Sequence, residues 1–185
     1  MKSLKFIHIT KCAGTSIEDL GLENNIYWGR HHKEYGWWHE ILLNKSKHFK
    51  DKYDWFMIVR NPYDRILSEY HCFYNNREQL NHSVDEFNLF LINKIKKRSL
   101  SGEHYTEQYR YLDSDCNIHI LKFENLENDF NNLMLRYNLN IKLNKHIKTG
   151  RNKKFQISDF SKELISLINS VYEKDFLFFG YEIMN

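Results

Sequence analysis

Proline occurs once in these 185 residues, glycine seven times and cysteine three times. A chain so poor in proline and glycine has no flexible linker, and no repeat or low-complexity block divides it. Length and composition therefore predict a single domain spanning 1–185. Cys12, Cys72 and Cys116 are odd in number, far apart and without C-x-x-C spacing, which excludes a disulfide scaffold and a zinc knuckle. No apolar run approaches the roughly 18 residues of a membrane span. The opening Met1-Lys2-Ser3-Leu4-Lys5 passes into strand without a signal-like segment, so the expectation is a soluble protein of a reducing, cytoplasmic compartment. Charge of one sign is lacking too: 27 basic against 24 acidic residues leave a net charge of only +3. That balance argues against a chain-wide nucleic-acid surface and leaves any anion binding to local arrangement.

What is present is a globular composition, 42% apolar and 16% aromatic, well above the disordered class. Residues 4–9, 54–59 and 117–123 are short apolar runs bounded by turn signals, as buried parallel strands require. Helical patterns lie between and after them. Ser83-Val84-Asp85-Glu86 has capping-box spacing, and Val84, Phe87, Leu91 and Ile95 then share one helix face. Leu126, Phe130, Leu133 and Tyr137 repeat that pattern, as do Leu164, Ile165, Ile168, Val171 and Tyr172. The expected fold is α/β, three layers with a central, mostly parallel sheet flanked by helices.

Two strand ends carry anion chemistry. Lys11-Cys12-Ala13-Gly14-Thr15-Ser16 follows the first strand, where backbone N–H groups of a turn and a helix start can face one anion and Lys11 adds a full charge. Arg60 ends the second strand; Asn61 can cap the next helix and Pro62 can occupy its first turn, which puts Ser68 about two turns in. Arg60 and Ser68 can share a phosphate if the strand end folds back beside that helix, and the alternative is an Arg60–Asp64 surface pair. In an open parallel sheet ligands bind beyond the carboxyl ends of strands, where both elements sit.

These segments resemble the sulfotransferases that use 3′-phosphoadenosine 5′-phosphosulfate (PAPS), in particular their carbohydrate and membrane-associated branch. His8 through Ser16 is similar to the family's 5′-phosphosulfate loop, and Val59-Arg60-Asn61-Pro62-Tyr63-Asp64-Arg65-Ile66-Leu67-Ser68 to its 3′-phosphate element. Further likeness lies in Glu107 through Leu112, in Leu121 through Leu126, and in Tyr172 through Phe176 before Phe179-Gly180-Tyr181. The resemblance implies a P-loop-like sulfotransferase fold and PAPS as sulfuryl donor. The partner it implies is a small-molecule or glycan acceptor, with no nucleic acid and no metal. Lys11, Cys12, Ala13, Gly14, Thr15 and Ser16 would then hold the 5′ end and Arg60 and Ser68 the 3′-phosphate. Gly150 and Arg151 would belong to a late loop closing over it. A P-loop phosphotransferase is the enzymatic alternative and a non-catalytic nucleotide-binding module the other. Against the former, Lys11 precedes the turn and Arg60 replaces the acidic residue that would help to hold magnesium.

An acceptor hydroxyl needs a base, and histidine suits that task near neutral pH. Trp28-Gly29-Arg30-His31-His32-Lys33 resembles the base-carrying segment of several carbohydrate sulfotransferases, which makes His31 the first candidate. His32 and His39 are its rivals. Adjacent histidines without H-E-x-x-H or a cysteine pair do not make a metal site. Cys12 reads either as a thiol acidified by the anion-binding turn or as small-residue packing. Trp28, Trp37 and Trp38 suit either an acceptor platform or the core.

Overall fold

The computed structural model describes residues 2–29, 39–72, 81–100, 102–144 and 154–185. Three parallel strands, β1 (Ser3–Ile7), β2 (Tyr53–Val59) and β3 (Ile118–Lys122), form a sheet in the order β1-β2-β3. Every β2 residue from Asp54 to Val59 is buried, as the near-continuous apolar run of a central parallel strand requires. The register pairs Ile7 with Met57 and Val59 with Lys122, so all three strands deliver their carboxyl ends to one edge. The chain is an α/β protein, its sheet flanked by helices.

Helix α1 (Gly14–Glu23) follows β1, and α3 (Pro62–Tyr70) follows β2 after the single turn α2 (Lys47–Lys50) has led into that strand. The Asn61 side chain accepts from Tyr63 N at 3.0 Å with Pro62 in the first turn, the start expected from the sequence. Helix α4 (Val84–Lys96) opens on the Ser83–Glu86 capping box. Phe87, Leu91 and Ile95 are buried along it, whereas Val84 overhangs the core at the first helical position and is 47% exposed. Helices α5 (Leu126–Arg136), α6 (Lys162–Val171) and α7 (Glu173–Phe179) complete the set.

One core packs on the sheet, with Phe6, Ile17, Phe56, Ile58, Phe130 and Met134 among its members; a second joins α3, α4, α6 and α7 through Ile66, Phe87, Leu91, Leu164, Ile168 and Tyr172. Trp28 belongs to the first. Its fully buried indole meets Phe56 and Phe130 edge-on at centroid distances of 5.3 and 6.0 Å, so burial claims it and the acceptor-platform reading of Trp28 fails. Trp37 and Trp38 lie outside the described residues. None of the described helices is long and apolar enough to cross a membrane.

Candidate active site

The loop after β1 departs from ordinary backbone at two non-glycine residues, Lys11 with φ 60° and Ala13 with φ 63°. Left-handed geometry at such residues costs of order 1–3 kcal/mol each and is retained where surrounding structure enforces it. Left-handed residues alternating with right-handed ones are the geometry of backbone nests, whose successive N–H groups bind anions. No side chain caps that helix start, and Thr15 and Ser16 stand exposed in its first turn. Gly14 is buried beneath the His8 ring, and a Cβ there would fall 2.2 Å from His8 Nε2. His8 is itself fixed against Glu18 at 3.2 Å, so the turn demands glycine.

Arg60 enters from the neighbouring strand end and joins this loop directly. Its Nη1 donates to the Lys11 carbonyl at 3.2 Å, and its guanidinium lies 4.1 Å from the centroid of the Phe123 ring, at the end of β3. The side chain is nine-tenths buried, and its Nε has no hydrogen-bond partner. A buried cationic donor without an acceptor is costly, and an anion at this spot would satisfy it. No Arg60–Asp64 ion pair occurs among the described residues; Asn61 N instead donates to Glu124 Oε1 at 2.8 Å.

Gln108 knots the surroundings together. Its Oε1 accepts from Arg60 N at 2.8 Å and from the Cys12 thiol at 3.5 Å, while its Nε2 donates to the Arg60 carbonyl at 2.8 Å. Behind it, the Asp175 carboxylate accepts from Gln108 N at 2.9 Å and Tyr109 N at 2.8 Å. Burial pushes the Asp175 carboxyl up to about 6 in spite of these bonds. Cys12 is fully buried, and burial pushes its thiol up to about 12 against the pull of Arg65 and Arg60. The acidified-thiol reading of Cys12 is thereby overturned: its side chain packs inward, and only its backbone can meet a ligand.

A second buried network braces the loop from α3. Arg65 Nε donates to the Thr10 carbonyl at 3.0 Å, Nη1 to the Thr106 carbonyl at 2.8 Å and Nη2 to Thr10 Oγ1 at 3.0 Å. Glu69, one turn on and fully buried, accepts from Thr10 Oγ1 at 2.5 Å and from His104 Nδ1 at 2.6 Å. Arg65, Glu69 and His104 escaped the sequence reading. The signal was an Arg–Glu pair at i,i+4, which resembles an ordinary surface pair until the facing Thr10 is known. Ser68 is half-buried on α3, and among the described residues no hydrogen bond links it to Arg60.

His39 reaches the same region. Its Nδ1 lies 3.2 Å from the His8 carbonyl and its ring meets that of His8 edge-on, centroids 4.7 Å apart. Because a carbonyl only accepts, Nδ1 carries the hydrogen and Nε2 the lone pair. Burial first, then the neighbouring His8, holds the imidazole down at about 4. His31, His32, Gly150 and Arg151 lie outside the described residues. Among those described, no group of three or more His, Cys, Asp or Glu could hold a metal ion.

Compared with known proteins, residues 2–182 match the model of one family, described as the sulfotransferase family. No curated protein and no solved structure gives a significant match.

Proposed function

The chain belongs to the sulfotransferase family, and from that premise we propose that it moves a sulfuryl group from PAPS to a hydroxyl or amine of a carbohydrate or other small acceptor. The observation that carries this reading is the Arg60–Lys11 contact, which sets the loop after β1 beside the end of β2, each with a cationic residue. PAPS supplies a sulfuryl group on a phosphosulfate anhydride, and its departure leaves adenosine 3′,5′-bisphosphate.

Residue roles follow from position. The N–H groups of Ala13, Gly14, Thr15 and Ser16 and the two hydroxyls hold the 5′ end at the helix start, where the dipole also favours an anion. Lys11 steadies the bridging oxygen as the S–O bond breaks and the electron pair passes to the departing phosphate. Arg60, with its unsatisfied Nε, and Ser68 hold the 3′-phosphate that ATP lacks; for Gly150 and Arg151 the same role rests on the sequence resemblance. The acceptor oxygen forms the new S–O bond and gives its proton to a histidine. Of His31, His32 and His39, we take His39 as that base, since its Nδ1 bond to the His8 carbonyl brings it to the loop and assigns the lone pair to Nε2. A bound phosphosulfate beside it raises the proton affinity of that ring as negative charge arrives.

The test is a metal-free thermal-shift comparison of adenosine 3′,5′-bisphosphate with ATP. At about 100 times its dissociation constant the bisphosphate should stabilise the fold by roughly 2.7 kcal/mol, with ATP giving a much smaller shift at equal concentration. A response confined to ATP with magnesium would replace this reading with the phosphotransferase one.

A further inference from the structure

Three histidines stand in a row beside the loop, and each is held through Nδ1. His8 meets Glu18 at 3.2 Å, His39 the carbonyl of His8 at 3.2 Å, and His104 the Glu69 carboxylate at 2.6 Å. The rings make contact in sequence. His8 and His39 have centroids 4.7 Å apart at 82°, His39 and His104 5.9 Å apart at 71°.

Glu69 is the fixed point of this row. It is fully buried on α3, one oxygen bound to His104 and the other to Thr10, the residue before Lys11. Burial alone would raise its carboxyl, but the His104 bond, the Arg65 charge and the Thr10 hydroxyl together hold it below the ordinary range. An ionised carboxylate only accepts, so His104 Nδ1 is the donor. His104 is otherwise half-exposed, its side chain at 49%. A buried carboxylate that grips both the loop and an imidazole sets the distance between them, the logic by which an acidic residue orients a histidine in nucleophile–base pairs.

We propose, on the sulfuryl-transfer reading, that His104 is a positioning residue: clamped by Glu69, it holds the base His39 against the nucleotide loop and ties that placement to Thr10. His39 is met by His8, His104 and Glu69, and Glu69 by Arg65, Thr10 and His104. A proton on His39 is repelled by His8 and His104 and attracted by Glu69. Removing the His104 ring therefore withdraws one repelling group and part of the cover over His39, and both changes raise the proton affinity of His39.

The experiment follows the His39 imidazole by NMR titration and, in parallel, release of adenosine 3′,5′-bisphosphate from PAPS with a mixture of simple sugars as acceptor. It compares the unmodified chain with His104→Ala and His104→Asn. Asparagine places an amide N–H where Nδ1 stood and can still donate to Glu69. His104→Ala should raise the His39 midpoint by about half a pH unit or more. It should also lower kcat by about tenfold or more through misplacement of the base, with KM for PAPS unchanged within about twofold. His104→Asn should restore most of kcat by keeping the bond to Glu69, while the His39 midpoint stays raised because the ring is still gone. If alanine prevents folding, His104→Gln replaces it, since its longer amide cannot repeat the bond. An unmoved His39 titration with kcat within about threefold of the parent overturns the proposal. Equal loss of activity in the alanine and asparagine variants overturns it too, because the ring and not the clamp would then be needed. Failure of the unmodified chain to bind the bisphosphate would instead sink the sulfuryl-transfer reading, and the titration arm would still decide whether His104 places His39.

Discussion

Replacing Lys11 with methionine should cut sulfuryl transfer from PAPS by about 10²–10³-fold, the scale on which removal of one preorganised charge or donor acts on a transition state. The melting temperature should hardly move. The structural work of this residue is done by its backbone: the carbonyl receives Arg60, and the left-handed φ of 60° shapes the turn. Methionine keeps both and bears the same conformational cost. Lys11→Gly makes the complementary prediction, since it relieves the left-handed strain and should gain stability while losing the same activity. Release of adenosine 3′,5′-bisphosphate, set beside a thermal melt, checks both variants. A methionine variant that turns over PAPS like the parent would remove Lys11 from the chemistry.

Arg65→Leu should be the most damaging single change to stability, costing about 3–5 kcal/mol because it leaves a buried carboxylate uncompensated. Three described hydrogen bonds disappear with the guanidinium, two to carbonyls and one to a hydroxyl. The Glu69 charge then loses its neighbouring cation and keeps the bonds from Thr10 and His104. Urea unfolding checks the size, and the double variant Arg65→Leu/Glu69→Leu should recover part of the loss by removing both charges together. No recovery in the double variant would mean that Arg65 acts through its carbonyl contacts rather than through Glu69.

The frame of this molecule was legible because its signals are local. The three strands lie where the apolar runs sit, and the Asn61-Pro62 and Ser83–Glu86 helix starts were written in two or four residues each. The first run was read as strand to Ile9, yet pairing ends at Ile7. His8 and Ile9 remain buried while the chain already turns toward the left-handed Lys11, and apolar character alone does not separate a paired residue from a merely buried one. Lys11 and Arg60 were legible as charges at strand ends; their mutual contact follows from parallel in-register strands. What composition and spacing withheld was direction. Arg65 and Glu69 share an i,i+4 spacing with innumerable surface pairs, and only the fold turns that face onto Thr10. His104 belongs to no local pattern, and its pairing with Glu69 spans 35 positions. Gln108 lay within a recognised stretch, but nothing local told that its amide would tie Arg60 on both sides.

The central claim is that one pocket grips both anionic arms of one adenosine donor, Lys11 and the helix start at one end and Arg60 at the other. The most direct test measures the affinities of adenosine 3′,5′-bisphosphate and adenosine 5′-monophosphate for the unmodified chain and for Arg60→Ala, without metal. The bisphosphate should bind about 10–100 times tighter than the monophosphate to the unmodified chain, the worth of one charge-assisted hydrogen bond. In Arg60→Ala most of that advantage should go while monophosphate affinity stays. An equal loss for both nucleotides, or an advantage that survives the substitution, would contradict it.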